Sequence, residues 1–126
     1  ADHYYNLQLQ SNKYSLEFEI MKKANNGTGG VELGTSTSSD FLVGCGSSSN
    51  MNLSRWGTGV TFTNLLTLTA NAWKTVLLEV DGSTINIKVD GNTYTVTGVS
   101  ADTSYLLKFN CNNTNLNFRN LKIKPL

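Results

Sequence analysis

The stretch WKTVLLEVDGSTINIKVDGNTY, residues 73–94, decides the fold. Three short apolar or alternating runs are joined at Asp81-Gly82 and Asp90-Gly91. Two-residue hairpin turns of type I′ need positive φ at both central positions, and Asp-Gly supplies that at little steric cost. The stretch therefore predicts a three-stranded antiparallel meander with each Asp-Gly pair at a turn centre. Both aspartates are then occupied by turn geometry, which makes them poor ligands or catalysts.

Working outward, residues 4–10 alternate Tyr5, Leu7 and Leu9 with polar partners, the pattern of a half-buried strand. Residues 14–21 place Leu16, Phe18 and Ile20 on one face and Glu17 and Glu19 on the other. ANNGTGG, residues 24–30, is a loop signal, and short strands follow at residues 31–33 and 41–45. SSSNMNLSRWGTG, residues 47–59, is the longest irregular stretch. Residues 60–62 and 66–68 are strand pieces. Tyr105, Leu107 and Phe109 alternate again. In LNFRNLKIKPL, residues 116–126, Leu116 and Phe118 share one phase while Leu121 and Ile123 share the other. A phase flip inside a strand predicts a bulge, placed at Arg119-Asn120, and Pro125 ends the strand because it has no N–H to donate. No segment keeps helical periodicity over three turns. About ten or more short strands at regular spacing define an all-β protein, a β-sandwich or a barrel.

The 126 residues fit a single domain, 1–126, large enough for a two-sheet core. Charged residues are 15% of the chain, against roughly 25% in an average domain. The net charge of +1 and the absence of Lys/Arg clusters argue against a nucleic-acid partner. No apolar run approaches the roughly 20 residues of a membrane-spanning helix, so no membrane insertion is expected. The start at Ala1 suggests a processed end or a module of a larger parent protein. Cys45 and Cys111 read as two small buried or half-buried side chains. A disulfide across neighbouring strands is the alternative in an oxidising compartment.

Three features together resemble the concanavalin A-like, laminin G-like jelly-roll superfamily. They are FEI at residues 18–20, a Trp leading into V-x-L-x-V-DG-x-x-I-x-I-x-V-DG at residues 76–91, and FRNLKIKPL at residues 118–126. The resemblance implies an antiparallel two-sheet β-sandwich, often with one concave sheet, and a carbohydrate-binding role. It also implies a setting in secreted glycanases or bacteriophage tail proteins, hence an extracellular or virion location. Calcium is common in that superfamily, and Asp40, Asp102 and the Asn-rich loops are the residues that could contribute to a structural ion.

Glu17 and Glu19 sit two residues apart on one strand, about 6–7 Å along the backbone. They resemble the carboxylate strand of jelly-roll glucanases, whose retaining chemistry wants carboxyls about 5–5.5 Å apart. The further acid of that pattern is missing, since Met21, Lys22 and Lys23 follow. A solvated outer face is the expected role. The single histidine, His3, lies near the terminus, a poor place to hold a catalytic imidazole. No enzymatic activity is expected.

Sugar binding needs an aromatic platform for C–H faces and planar or multi-donor groups for hydroxyls. Residues 50–57 offer both: Trp56 as platform, Arg55 to hydrogen-bond or stack, Asn50 and Asn52 to reach hydroxyls. The competing reading makes Trp56 a plug at one end of the core. Trp73, opening a Val- and Leu-rich strand, reads as core. Among Asn110, Asn112, Asn113 and Asn115, turn chemistry is the plain reading and Asn112 the binding candidate. Tyr4, out of phase with Tyr5, Leu7 and Leu9 and so on the exposed face, is a further ligand-binding candidate. The sequons at Asn26 and Asn52 matter only in a eukaryotic secretory route. These readings converge on a non-catalytic module that attaches its parent protein to a cell-surface or cell-wall polysaccharide. The alternative is a structural or protein-interaction module of a virion or adhesin.

Overall fold

The computed structural model describes residues 3–8, 11–24, 26–35, 39–99, 106–111 and 115–126, the first of these as backbone alone. Eleven strands are present: β1 (His3–Gln8), β2 (Lys13–Lys22), β3 (Gly29–Gly34), β4 (Ser39–Cys45), β5 (Asn52–Gly57), β6 (Val60–Thr67), β7 (Lys74–Asp81), β8 (Thr84–Val89), β9 (Asn92–Val96), β10 (Leu106–Cys111) and β11 (Leu116–Pro125). They form a six-stranded sheet, β1-β10-β3-β4-β5-β6, and a five-stranded sheet, β11-β2-β7-β8-β9. Every pairing is antiparallel.

The alternation of β2 decides how the sheets meet. Leu16, Phe18 and Ile20 are fully buried, as are Val76, Leu78 and Val80 on β7 and Ile85 and Ile87 on β8. Val31, Leu33, Phe41, Val43, Leu53 and Leu107 of the other sheet complete one continuous core. A sandwich of this kind stacks its sheets about 10 Å apart, so each strand has one covered face and one free face. Phe18 meets Phe109 and Phe118 edge-on, with centroids 6.4 and 6.1 Å away.

The meander forms as expected, with a one-residue difference at its first turn. Asp90 and Gly91 have φ of 57° and 78°, the two positive values of a type I′ turn. Asp81, however, pairs with Thr84 as the last residue of β7, so Gly82-Ser83 forms the turn. Only Gly82 has positive φ there, 62°, the pattern of a type II′ turn with Gly first. Asp81 is thereby released from turn duty, and its carboxylate stands 3.7 Å from Lys13 Nζ.

The bulge also lies where the phase flip puts it. The β11–β2 register shifts between Arg119 and Lys122, and Asn120 adopts φ 56°. Phe118 then pairs with Ile20 and Ile123 with Leu16, so both reach the core from opposite sequence parities. Leu121, inside the bulge, is left 37% exposed.

Other expectations need correction. Residues 47–59 are not wholly irregular, because β5 occupies most of their second half. The two pieces around residues 60–68 are one strand, β6. Trp73 is not core: it precedes β7, is half-buried, and lies under the Arg119 guanidinium, 3.9 Å from ring centroid to Cζ. Asp81 is not at a turn centre, as described above.

The cysteines are both unbridged. Cys45 on β4 and Cys111 on β10 each pair with Gly29 on β3 between them. Two strand spacings separate their Cα atoms, about 9–10 Å, beyond the roughly 7 Å a disulfide spans.

One inward position breaks the hydrophobic rule. Lys22 continues the buried phase of β2 and is wholly inaccessible. Its ammonium donates to the carbonyls of Ser47 at 2.8 Å and Asn50 at 2.6 Å. Burial pushes its pKa down from the usual lysine value. The lysine ties residues 47–50, the connection between β4 and β5, to the opposite sheet.

Candidate functional site on the six-stranded sheet

The free face of the six-stranded sheet carries two adjacent cross-strand rows. One runs Lys108, Glu32, Leu42, Trp56 across β10, β3, β4 and β5. The next runs Asn110, Gly30, Gly44, Ser54, Asn64, ending on β6. Rows on one face of a strand lie about 6.5–7 Å apart, so together they cover the footprint of a small ligand.

The second row has no side chain at its centre. A Cβ at Gly44 would stand 2.1 Å from the Gly29 carbonyl oxygen, and one at Gly30 would stand 2.4 Å from that of Val43. Only glycine fits this close backbone approach, so the row is bare by necessity. The result is a groove of about 340 Å³ lined by Gly30, Glu32, Leu42, Gly46, Trp56 and Asn110 among others. That volume falls in the range of roughly 300–1,000 Å³ usual for small-molecule sites.

Trp56 is half-buried and walls one side of the groove. Its ring lies 5.5 Å from the Phe62 ring at 34°, and Phe62 is itself 51% exposed. Glu32 is only 8% exposed and accepts a hydrogen bond from Ser39 Oγ at 3.3 Å. Lys108 donates to the same hydroxyl at 3.4 Å and to the Thr35 carbonyl at 3.3 Å. The Ser39 hydroxyl thus bridges Lys108 and Glu32. Ser54 Oγ donates to Asn64 Oδ1 at 2.6 Å. Asn110 Oδ1 differs from all of these: it is buried and has no hydrogen-bond partner. A buried acceptor without a donor is costly and uncommon.

The structure separates the residues that the sequence grouped. Trp56 lines the groove. Arg55 pairs with Val43, which faces the core, so it lies in the opposite phase; its Nη1 donates to the Thr61 carbonyl at 3.1 Å. Asn52 shares the phase of Trp56 but is engaged by Thr67 Oγ1 at 3.1 Å. Asn50 is on the connection, where its Oδ1 accepts the Asn52 N–H at 3.1 Å and its carbonyl holds Lys22. Neither lines the groove. Tyr4 pairs across from Asn110 on β1, its side chain lying outside the described residues, as do Asn112 and Asp102. Asp40 is buried, and among the described residues no three His, Cys, Asp or Glu side chains gather as a metal-holding group. Glu32 was missed by sequence reasoning, and Asn110, read as turn chemistry, lies in β10 instead. The available signals were the glycines at 29, 30 and 44 and a lone carboxylate in the apolar run VEL.

The carboxylates of the other sheet are committed to ion pairs. Glu17 meets Lys122 at 3.6 Å, Glu19 meets Arg119 at 2.9 Å, and Glu79 meets Lys88 at 2.8 Å. Glu79 does share a cavity of about 250 Å³ with Glu17. Hydrogen bonds from Asn120 and then Arg119 pull the Glu19 pKa below its ordinary value. A general acid of glycoside hydrolysis needs the opposite shift.

No protein-family model matches the sequence, and no curated protein sequence matches it. Solved structures do match, and they show the fold: an antiparallel two-sheet jelly-roll sandwich. A sialidase aligns at TM-score 0.75 and 12% identity over 97% of this chain, which spans 14% of that protein. Caenorhabditis elegans galectin LEC-6 aligns at TM-score 0.68 and 12% identity, over 97% of this chain and 89% of the galectin. CG-16, a homodimeric agglutinin from chicken liver, aligns at TM-score 0.63 and 10% identity, over 98% of this chain and all of that one. Among the described residues no helix is long and apolar enough to cross a membrane.

Proposed function

We propose that this protein is a carbohydrate-binding jelly-roll module whose site is the free face of the six-stranded sheet, with Trp56 as the stacking platform. The observation that carries the reading is the groove itself. An aromatic wall, a bare glycine floor and a buried acceptor without a partner converge on one side of a two-sided sandwich. A sugar ring presents an apolar C–H face to an indole and hydroxyl donors to acceptors around it. A galectin and an agglutinin of the same fold support the reading.

The module acts without catalysis. The carboxylates on β2 and β7 are neutralised by cations, and among the described residues the groove is lined by Glu32 and no second acid. Its role is to attach a larger, secreted or virion-borne parent to polysaccharide. In the matched sialidase this fold is one part of a much longer chain, which supports a modular role.

A glycan array with the wild-type protein and Trp56→Ala tests the proposal. Binding to a defined set of sugars, lost in the variant while the fold persists, is the expected result. Absence of binding to any glycan rejects it.

A further inference from the structure

We infer, resting on the carbohydrate reading above, that the groove selects uncharged sugars and discriminates against anionic ones. The argument is an inventory of charge and of hydrogen-bonding sense. The chain has ten Lys and Arg residues, and none of them lines the groove. Lys13, Lys74, Lys88, Arg119 and Lys122 are paired with carboxylates of the five-stranded sheet. Lys22 is buried and bound to two carbonyls, Lys23 follows the end of β2, and Lys124 lies near the end of β11. Arg55 is in the core-side phase of β5. Lys108 is on the right face but turned to Thr35 and Ser39, beyond Glu32.

Among the described residues, the groups that set the groove's charge and its unmet hydrogen-bonding need are one carboxylate and one amide oxygen; the Thr28 hydroxyl, which donates or accepts, also lines it. Glu32 and Asn110 Oδ1 lie in adjacent rows on β3 and β10, and both accept hydrogen bonds. Sugar hydroxyls donate and satisfy them. A carboxylate or sulfate on a sugar only accepts, so it satisfies neither, and it brings like charge to Glu32 in a partly enclosed site where screening is weak. The groove is therefore complementary to a neutral, hydroxyl-rich ring stacked on Trp56. Discrimination comes from repulsion as much as from attraction.

The test is titration of matched oligosaccharides: neutral chains of glucose, galactose, mannose or N-acetylglucosamine against their sialylated, uronate or sulfated counterparts. Neutral forms are expected to bind at least about 10-fold more tightly. Glu32→Gln should weaken the neutral ligand about 10-fold and bring the neutral-to-anionic ratio towards one. Asn110→Ala should also weaken the neutral ligand about 10-fold; because Oδ1 has no protein partner to lose, a purely structural role would leave affinity untouched. Lys122→Ala on the opposite sheet serves as the control without effect. Equal or tighter binding of anionic forms, abolished by Trp56→Ala, overturns this inference and leaves the carbohydrate reading standing. Failure of every neutral and anionic form to bind overturns both.

Discussion

The free faces of the two sheets are made of opposite materials. On the five-stranded sheet, ion pairs stitch neighbouring strands: β2 to β7, β7 to β8, β11 to β2, and the start of β7 to the β8–β9 turn. These five ion pairs all belong to the five-stranded sheet and its turns. The strand glycines are distributed in the reverse sense: Gly29, Gly30, Gly34, Gly44 and Gly57 all lie in the six-stranded sheet. Both sheets satisfy the core in the same way, by alternation. They differ in what the remaining half of each strand does. One face closes on itself through cross-strand partners. The other leaves bare backbone, an aromatic wall and an acceptor without a donor, at a cost in stability that a ligand can offset.

The comparison is broken most directly at Gly44. Alanine there places Cβ 2.1 Å from the Gly29 carbonyl oxygen and 2.4 Å from Gly30 Cα, both backbone atoms that cannot step aside alone. Gly44→Ala is expected to lose about 3 kcal/mol or more in urea unfolding, at the upper end for overpacked sites. Thr75→Ala, at an exposed position of β7, should stay within about 0.5 kcal/mol. Equal losses would show that the glycine floor is not a structural requirement.

Trp56 carries the next largest effect, on binding. Trp56→Ala should reduce glycan affinity about 100-fold, in the range seen for aromatic anchors. Because the ring is half-buried and packs chiefly on the exposed Phe62, unfolding free energy should fall by only about 1–2 kcal/mol. Arg119→Ala, which frees the other tryptophan, Trp73, should leave affinity unchanged. An affinity loss in Arg119→Ala of the same size would move the site to the other face.

How much of this was legible in the sequence follows from the range of each signal. Turn chemistry and period-2 alternation act over a few residues, and so the meander, the β11 bulge and the inward faces of β2, β7 and β8 could be read directly. The first turn was misplaced by one residue because Asp-Gly is compatible with two frames, and Gly82 can open a type II′ turn as well as close a type I′ one. Residues 47–59 hid β5 because serine, asparagine and glycine obscure alternation in a strand whose outer face is a polar groove. Trp56 was found as a platform candidate, but its sequence neighbours were taken as its spatial neighbours. On a strand, adjacent residues face opposite ways, which removes Arg55. The true partners come from β3 and β10, 24 and 54 positions away from Trp56 by numbering, and only sheet order brings them together.

Alkaline pH sharpens the contrast from behind the groove. Burial pushes the Cys45 thiol up to about 11 from an ordinary 9.0. The folded state then keeps a proton that the unfolded chain releases, so stability is fully present below pH 9 and falls as pH rises towards 11. Wild type should lose about 2 kcal/mol more than Cys45→Ala across that window in urea unfolding, and Cys45 should resist alkylation that modifies Cys111. Equal slopes would mean that solvent reaches the back of β4.

Acid probes the stitched face instead. Glu19 is held below its ordinary pKa of 4.5 by Asn120 and Arg119, so its contribution is present above that value and lost as pH falls through the lowered one. Glu19→Gln should therefore flatten the acid limb of a stability-versus-pH curve measured by thermal melting. Glycan binding at neutral pH should not change.

The smallest effect belongs to Lys122. Its ammonium stands 3.6 Å from Glu17 across the far side of the β11 bulge, and both side chains are well exposed. Exposed pairs of this kind contribute about 0.2–1 kcal/mol because water screens the attraction and ordering two side chains costs entropy. Lys122→Ala should cost that much in dilute buffer, less in about 1 M salt where the screening length is roughly 3 Å, and nothing in glycan affinity. A stability loss above about 2 kcal/mol would mean that the bulge depends on the pair. The stitching of the five-stranded sheet would then come from a few strong links, where exposure and geometry argue for many weak ones.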